Sequence, residues 1–232
     1  CTMELGGHSP VMIFKDADIE AAVKHCAAGK FRNAGQVCIS PTRFFIEEPV
    51  YDEFIKSFKS HVEAINVGDG LDSKSTMGPL VADRRLEVME DFISDAISSG
   101  GEVISGGGRG QSPGSFFEPT LIRDVPDTAK IMIEEPFGPV APSASFSSID
   151  EIIERANSLP FGLASYAFTS NPRTSQILKS EIESGMLAIN SMHIHSVETP
   201  FGGLKHSGYG YEGSIEGLEA FLVTKYSSEI YT

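Results

Sequence analysis

The chain has 232 residues, 41% of them hydrophobic and 22% charged, which is room for one large packed domain or two small ones. Its 32 acidic and 18 basic residues give a formal charge of −14, which repels phosphate backbones and argues against nucleic-acid binding and electrostatic membrane attachment. No run approaches the ~18 uninterrupted apolar residues of a membrane-spanning helix, and three cysteines without a C-x-x-C pair argue against a disulfide scaffold or structural zinc.

In chain order, Asp16 and Asp18 predict the start of a helix carrying Ile19, Val23 and Ala27 on one face. Thr42–Ile46 is β-prone. Pro49 suits a first helical position, and Val50, Phe54, Phe58, Val62 and Ile65 follow at helical spacing. A third helix carries Leu86, Met89, Ile93, Ala96 and Ile97 and stops at Gly100-Gly101. Glu102–Ser105 and Phe117–Ile122 read as strands. Ser148 and Glu151 form a capping box ahead of Ile149, Ile152, Ile153 and Ala156. Ala164–Thr169 is a strand, Asn171-Pro172 opens a helix through Ile177, Leu178 and Ile182 that ends at Gly185, and Met186–Asn190 is a further strand. The alternation predicts an α/β domain with a largely parallel sheet flanked by helices, then a C-terminal helix with an apolar stripe (Ile215, Leu218, Phe221, Leu222) and a β tail, Lys225–Tyr231.

Four segments carry chemistry. Phe31-Arg32-Asn33-Ala34-Gly35-Gln36-Val37-Cys38 passes from a helix through a glycine to a cysteine ahead of Ser40-Pro41. Such a cysteine is either an accessible nucleophile, its thiolate favoured by backbone N–H groups or Arg32, or a buried packing residue. Cys26, beside Ala27-Ala28, reads as packing. Glu4-Leu5-Gly6-Gly7 sets a carboxylate beside two glycines that permit close backbone approach, suiting a general base; a solvated glutamate at a turn is the plain alternative. Glu134-Glu135-Pro136-Phe137-Gly138-Pro139 is either a Pro-Gly loop with a core Phe or a segment whose Phe137 stacks on a planar ligand. Pro200-Phe201-Gly202-Gly203 is a glycine-dense loop with one aromatic. The string Gly208-Tyr209-Gly210-Tyr211-Glu212-Gly213 matches G-x-G-x-x-G, but a loop precedes it and too little chain follows for a βαβ unit. His193-Ile194-His195 puts two imidazoles on one face of an extended segment, more a surface feature than a metal site.

These four motifs in this order resemble the aldehyde dehydrogenase superfamily over essentially the whole chain. The resemblance implies Cys38 as nucleophile and Glu4, 34 residues earlier, as general base. It implies Glu135 and Phe137 as contacts to the ribose and ring of a nicotinamide cofactor, NAD or NADP, and Phe201 as a wall of the aldehyde tunnel. The expected reaction is attack of the Cys38 thiolate on an aldehyde, hydride transfer to the cofactor, and release of the acid from a thioester by water that Glu4 activates. The family's cofactor domain and an oxyanion-hole Asn precede its Glu-Leu-Gly-Gly motif. Because residue 1 is Cys and the first Met is Met3, the chain is expected to be part of a longer protein and inactive alone as a dehydrogenase.

The implied organisation is a catalytic domain over 1–206, a helix returning to the cofactor domain over 207–224, and an oligomerisation strand over 225–232, in a cytoplasmic homodimer or homotetramer. The closest branch is similar to succinate-semialdehyde dehydrogenases. There Arg32 would grip a substrate carboxylate, while His195 stands where that branch carries a hydroxyl; a structural salt bridge is the other reading of Arg32. His8 stands where the family often has Lys or Asn. Two other readings remain open: a cofactor-independent thiol hydrolase, and a non-enzymatic assembly domain.

Overall fold

The computed structural model describes residues 1–231; Thr232, the last residue of the expected terminal strand, lies outside them. In chain order the elements are β1 (Met3–Glu4), β2 (Ser9–Ile13), α1 (Ile19–Phe31), β3 (Pro41–Glu47), α2 (Tyr51–Glu63), α3 (Arg84–Ser98), β4 (Glu102–Ser105), β5 (Thr120–Arg123) and α4 (Lys130–Ile133). They continue with β6 (Val140–Phe146), α5 (Ile149–Asn157), β7 (Phe161–Gly162), β8 (Ala164–Phe168), α6 (Pro172–Glu181), β9 (Met186–Ile189), β10 (Leu204–Lys205), β11 (Gly208–Tyr209) and α7 (Ser214–Glu219).

Seven strands form one sheet in the order β4-β5-β6-β3-β2-β8-β9, parallel except for the antiparallel edge pair β4-β5. The chain steps one way along it from β2 through α1 to β3, and the other way from β8 through α6 to β9. Since such crossovers are right-handed, α1 and α6 cover opposite faces. The expected mixed α/β architecture with helices flanking a mainly parallel sheet is the one found. Asp18 caps α1 by accepting from the Ala21 amide at 3.0 Å, and Ser148 caps α5 by accepting from the Glu151 amide. The Glu151 carboxylate returns to the amide of Ser147 rather than of Ser148, so the capping box is offset by one residue.

Besides the four two-residue strands, two strands of the seven-stranded sheet escape the sequence pattern, and both lie inside it. β2 (SPVMI) and β6 (VAPSASF) each contain a proline, which normally marks an edge or a non-strand. Pro10 sits at a register shift against β3, and Pro142 is the last residue paired with β5, just before the β3 pairing begins at Ser143. Each proline thus falls where the ladder is already changing, and its missing N–H costs little. The expected Phe117–Ile122 strand begins at Thr120, since Phe117 pairs only with Arg109 in an isolated bridge.

At the C-terminus the helix is shorter than expected, while the oligomerisation strand, which a partner copy would pair, stays an expectation. The helix foreseen across 207–224 is the six-residue α7 alone, and Ile215, Leu218, Phe221 and Leu222 stand exposed. Lys225–Tyr231 forms no strand among the described residues, and Tyr226, Ile230 and Tyr231 are 86–88% exposed. A β-prone segment without a sheet edge to pair with has no reason to extend into a strand.

On the α1 face, Phe31, Phe44, Phe54 and Phe58 pack with ring centroids 5.2–6.4 Å apart. Phe31, in the last turn of α1, ties the start of the Cys38 turn to this cluster. The rigid core therefore ends where the reactive segment begins.

Candidate active site

After Phe31 the chain leaves α1 through a turn in which Asn33 (φ 52°), Ala34 (φ 53°) and Gly35 (φ 71°) are all left-handed. Asn and Gly tolerate this conformation; Ala34 does so at a cost of about 1–2 kcal/mol that the surroundings must hold. Several contacts hold it. A Cβ on Gly35 would lie 2.2 Å from the Gly138 carbonyl oxygen, so only glycine lets the turn press on the Glu135–Gly138 loop. The Asn33 amide donates to the Gln36 carbonyl at 3.1 Å, and the Gln36 amide returns to Asn33 O at 3.0 Å. Gln36 Oε1 also accepts from the Val81 N–H at 2.8 Å, fastening the turn to the loop before α3. The result fixes Cys38 at the amino end of β3.

Glu4 reaches the same edge on β1, which pairs with β11 through Glu4 and Gly208. Gly7 then passes so close that a Cβ would lie 2.9 Å from the Cys38 carbonyl oxygen. The Gly7 N–H donates to Glu135 Oε1 at 3.1 Å, and a Cβ on Gly6 would meet Glu135 Oε2 at 2.6 Å. Gly6 and Gly7 thus let the Cys38 and Glu135 segments approach the same backbone. Phe137, at φ 43°, is exposed on the loop beyond Glu135.

Cys38 is half-buried and opens into a cleft of about 440 Å³ that Arg32, His195, Phe201 and Glu212 also line. Burial raises its thiol pKa, as do the charges of Glu4 and Glu135, while the N–H groups of Ile39 and Cys38 itself pull it down. The expected help from Arg32 is not among these influences. Burial, more than either carboxylate, favours the protonated thiol in the free protein. Glu4 is itself raised, by burial and by Glu212, and its Oε1 is buried without a hydrogen-bond partner. Glu135 is raised by burial, against the Gly7 N–H, Lys30 and Arg85.

His195 packs edge-on to Phe201 at 6.2 Å, and Arg32 forms no ion pair among the described residues. A roomier cleft, about 530 Å³ between the end of α2 and the β4–β5 connection, holds none of the candidate residues.

Three contributors were missed. Glu212 lay in the discarded G-x-G-x-x-G string, where the glycines matter for packing rather than for phosphate: a Cβ on Gly208 would lie 1.8 Å from Met3 O. Lys30 is fully buried, its Nζ has no partner, and burial pulls its pKa down to about 7 against the opposing charge of Glu135. Its place on the α1 stripe after Val23 and Cys26 was a readable signal. His8 is buried and kept neutral: burial, Arg43 and Lys30 all lower its pKa. Its ring nitrogens lie 2.7 Å from Thr42 Oγ1 and 3.1 Å from the Ile131 carbonyl, joining β3 to the short helix that leads into Glu135.

Comparisons with known proteins agree with this geometry. A model of the aldehyde dehydrogenase family matches residues 1–227, and the chain belongs to that family. It is 44% identical over 225 residues to a probable succinate-semialdehyde dehydrogenase [NADP(+)] of Sinorhizobium fredii, covering 97% of this chain and 46% of that protein. It is 43% identical, over 97% of itself and 47% of the relative, to a putative 4-(hydroxymethyl)benzenesulfonate dehydrogenase of Comamonas testosteroni. The crystal structure of succinate-semialdehyde dehydrogenase from Burkholderia pseudomallei superposes with a TM-score of 0.94 at 39% identity, over 95% of this chain and 46% of that one. The chain thus spans about half the length of the relatives it matches.

Proposed function

We propose that this chain carries the thiol half of a nicotinamide-dependent aldehyde dehydrogenase that oxidises aldehydes bearing an anionic tail, succinate semialdehyde or another ω-carboxylated aldehyde among them. The observation that carries this reading is the meeting at one sheet edge of the half-buried Cys38 thiol, the raised Glu4 carboxylate and a cleft with an unpaired Arg32. Glu135 and Phe137 suit a nicotinamide cofactor: the carboxylate is oriented by the Gly7 amide beside a glycine too close for any Cβ, and the aromatic ring is exposed on the same loop. When bound, that cofactor accepts the hydride. The chain's own residues do the rest. Cys38 Sγ adds to the aldehyde carbon once its proton has left, and the Cys38 amide is a donor for the resulting oxyanion. Glu4, in its charged form, takes a proton from the water that releases the acid, and burial with the Glu212 charge, by raising its pKa, makes it the stronger base. Arg32 offers a bidentate fork to a carboxylate tail, with His195 beside it.

The exposed Phe221, Leu222, Tyr226 and Ile230 favour association with a partner copy, as a homodimer or homotetramer, and the free cysteines fit a reducing cytoplasm. No helix among the described residues is long and apolar enough to cross a membrane. The test is NAD(P)H formation from succinate semialdehyde and from butanal by the full-length protein, with Cys38→Ser as control. The reading expects loss of at least ~10³-fold in Cys38→Ser, and a KM increase for succinate semialdehyde alone in Arg32→Ala. Ester hydrolysis without cofactor, with no NAD(P)H from any aldehyde, would favour the thiol hydrolase instead.

A further inference from the structure

The Cys38 turn closes through one backbone bond: the Ser40 N–H donates to the Val37 carbonyl at 2.9 Å, leaving Cys38 and Ile39 at the corner. The amides of both corner residues act on the Cys38 sulfur. The corner's carbonyls are met by distant parts of the chain. That of Cys38 abuts Gly7, and that of Ile39 accepts from the Tyr166 hydroxyl at 2.7 Å. The reaction described above makes no use of this tyrosine.

Tyr166 is firmly placed. It stands in β8 opposite Val11 of β2 and Ala188 of β9, and it is 1% exposed. A buried tyrosine needs a partner for its hydroxyl, and among the described residues the Ile39 carbonyl is the one it has. Burial raises its phenol well above the ordinary value, against the pull of Arg32, so the hydroxyl keeps its proton and stays a donor through neutral and moderately alkaline pH.

These bonds join end to end through two peptide groups. The Ile39 carbonyl and the Ser40 N–H are the two ends of one peptide unit, and the Val37 carbonyl and the Cys38 N–H are the two ends of another. The Tyr166 hydroxyl therefore polarises the first unit, which donates to the second, whose N–H is the Cys38 amide. In a buried chain of this kind each bond strengthens the next by about 10–30%. We propose that Tyr166 is a positioning residue for the nucleophile: its hydroxyl fixes the Cys38 turn and, through two peptide groups in series, strengthens the Cys38 amide as a donor to the sulfur anion and to the oxyanion that follows. This rests on Cys38 being the group that captures the aldehyde. Tyr166 acts through the backbone and transfers no proton. Its effect falls on the steps that carry negative charge beside that amide, not on the binding of aldehyde or cofactor.

The test uses the full-length protein and two variants that each delete one buried hydroxyl while keeping its ring. Tyr166→Phe breaks the chain. Tyr51→Phe, at the start of α2, loses a hydroxyl that meets Ser143 Oγ and the Asp124 amide, and controls for lost stability. Tyr166→Phe should lower kcat about tenfold, less than the 10²–10³-fold cost of removing an oxyanion donor outright, with KM for aldehyde and cofactor within about twofold. Without cofactor, the pH midpoint of iodoacetamide labelling at Cys38 should rise by about half a unit, which is an about threefold smaller thiolate fraction below the midpoint. Tyr51→Phe should move neither, whatever stability it loses. A kcat or a labelling midpoint that stays at the wild-type value in Tyr166→Phe, or an equal change in Tyr51→Phe, would overturn the proposal while leaving Cys38 its role. Turnover that survives Cys38→Ser would overturn both.

Discussion

The two ends of the parallel strands are built differently. At the carboxyl ends of β2, β3 and β8, polar side chains are paired. Lys15 donates to Glu47 through both its amide and its Nζ at 2.8 and 2.9 Å, Asp16 accepts from Thr169 and Ser170, and the Asn190 side chain bridges both backbone groups of Thr169. At the amino ends of the same strands lie the buried side-chain atoms without partners among the described residues: Glu4 Oε1, Ser9 Oγ, Lys30 Nζ and Ser40 Oγ. Open α/β sheets usually place ligands beyond the carboxyl ends of their strands. Here that end keeps a cleft of about 460 Å³ beside Lys15, Asp16 and Glu47, but its polar groups are paired with one another, and the unsatisfied groups, together with three successive left-handed residues, surround Cys38 at the other. Unpaired polarity marks the working edge more clearly than the general rule for the fold does.

The contrast can be broken by substitution at either end. At the amino edge, Glu4→Gln should reduce steady-state turnover of the full-length protein by about 10²–10⁴-fold. Cys38 should meanwhile accumulate a covalent acyl adduct visible by intact mass. A variant that keeps its rate, or loses it without an adduct, would remove Glu4 from the water-activating step.

Lys30 yields an effect of unusual sign. Its pKa in the folded chain, about 7, lies well below the ordinary lysine value of 10.5, because burial disfavours its charge more than Glu135 supports it. Between those two pH values the unfolded chain binds the extra proton, so folding stability from this group falls as pH drops and its deficit is complete below about pH 7. Lys30→Met should therefore stabilise the protein by about 1–3 kcal/mol at pH 6 and progressively less towards pH 10. Denaturant melts at the two pH values check this; destabilisation at pH 6 would show that Glu135 needs the ammonium more than the core resists it.

The smallest expected effect belongs to the carboxyl edge. Asp16→Ala removes hydrogen bonds from Thr169 and Ser170 and should cost about 1–2 kcal/mol in stability. Aldehyde turnover should stay within about twofold of wild type. A large loss of activity there would mean that the two edges are not functionally separate.

How much of this was readable follows from where the constraints lie. Helices with a cap and a periodic apolar stripe (α1 from Asp18, α5 from Ser148, α6 from Asn171) stood out because both signals are local. β2 and β6 did not, since their prolines are tolerated only through register shifts and pairing hand-overs that arise in the assembled sheet. The chemistry-bearing motifs were legible as short strings, and Cys38, Arg32, Phe201 and His195 meet in one cleft, with Glu4 and Glu135 acting on Cys38 through their charge. Glu212, Lys30 and His8 were not legible as site residues. Lys30 alone carried a spacing signal, on the α1 stripe after Val23 and Cys26, and the part all three play depends on burial and on charges brought in from distant segments. The C-terminal stripe is exposed as a face without a partner in this chain: an apolar helical pattern describes a face, not what would cover it.

The most direct test of the shared Cys38–Glu4 site is the pH profile of iodoacetamide labelling, resolved by peptide mapping so that exposed Cys1 and buried Cys26 are read separately. Burial and the Glu4 charge both raise the Cys38 thiol, so its labelling midpoint should lie above that of an ordinary thiol and move to lower pH in Glu4→Gln, while Cys1 keeps its profile. A Cys38 profile identical in wild type and Glu4→Gln, or a Cys38 as inert as Cys26, would contradict the account.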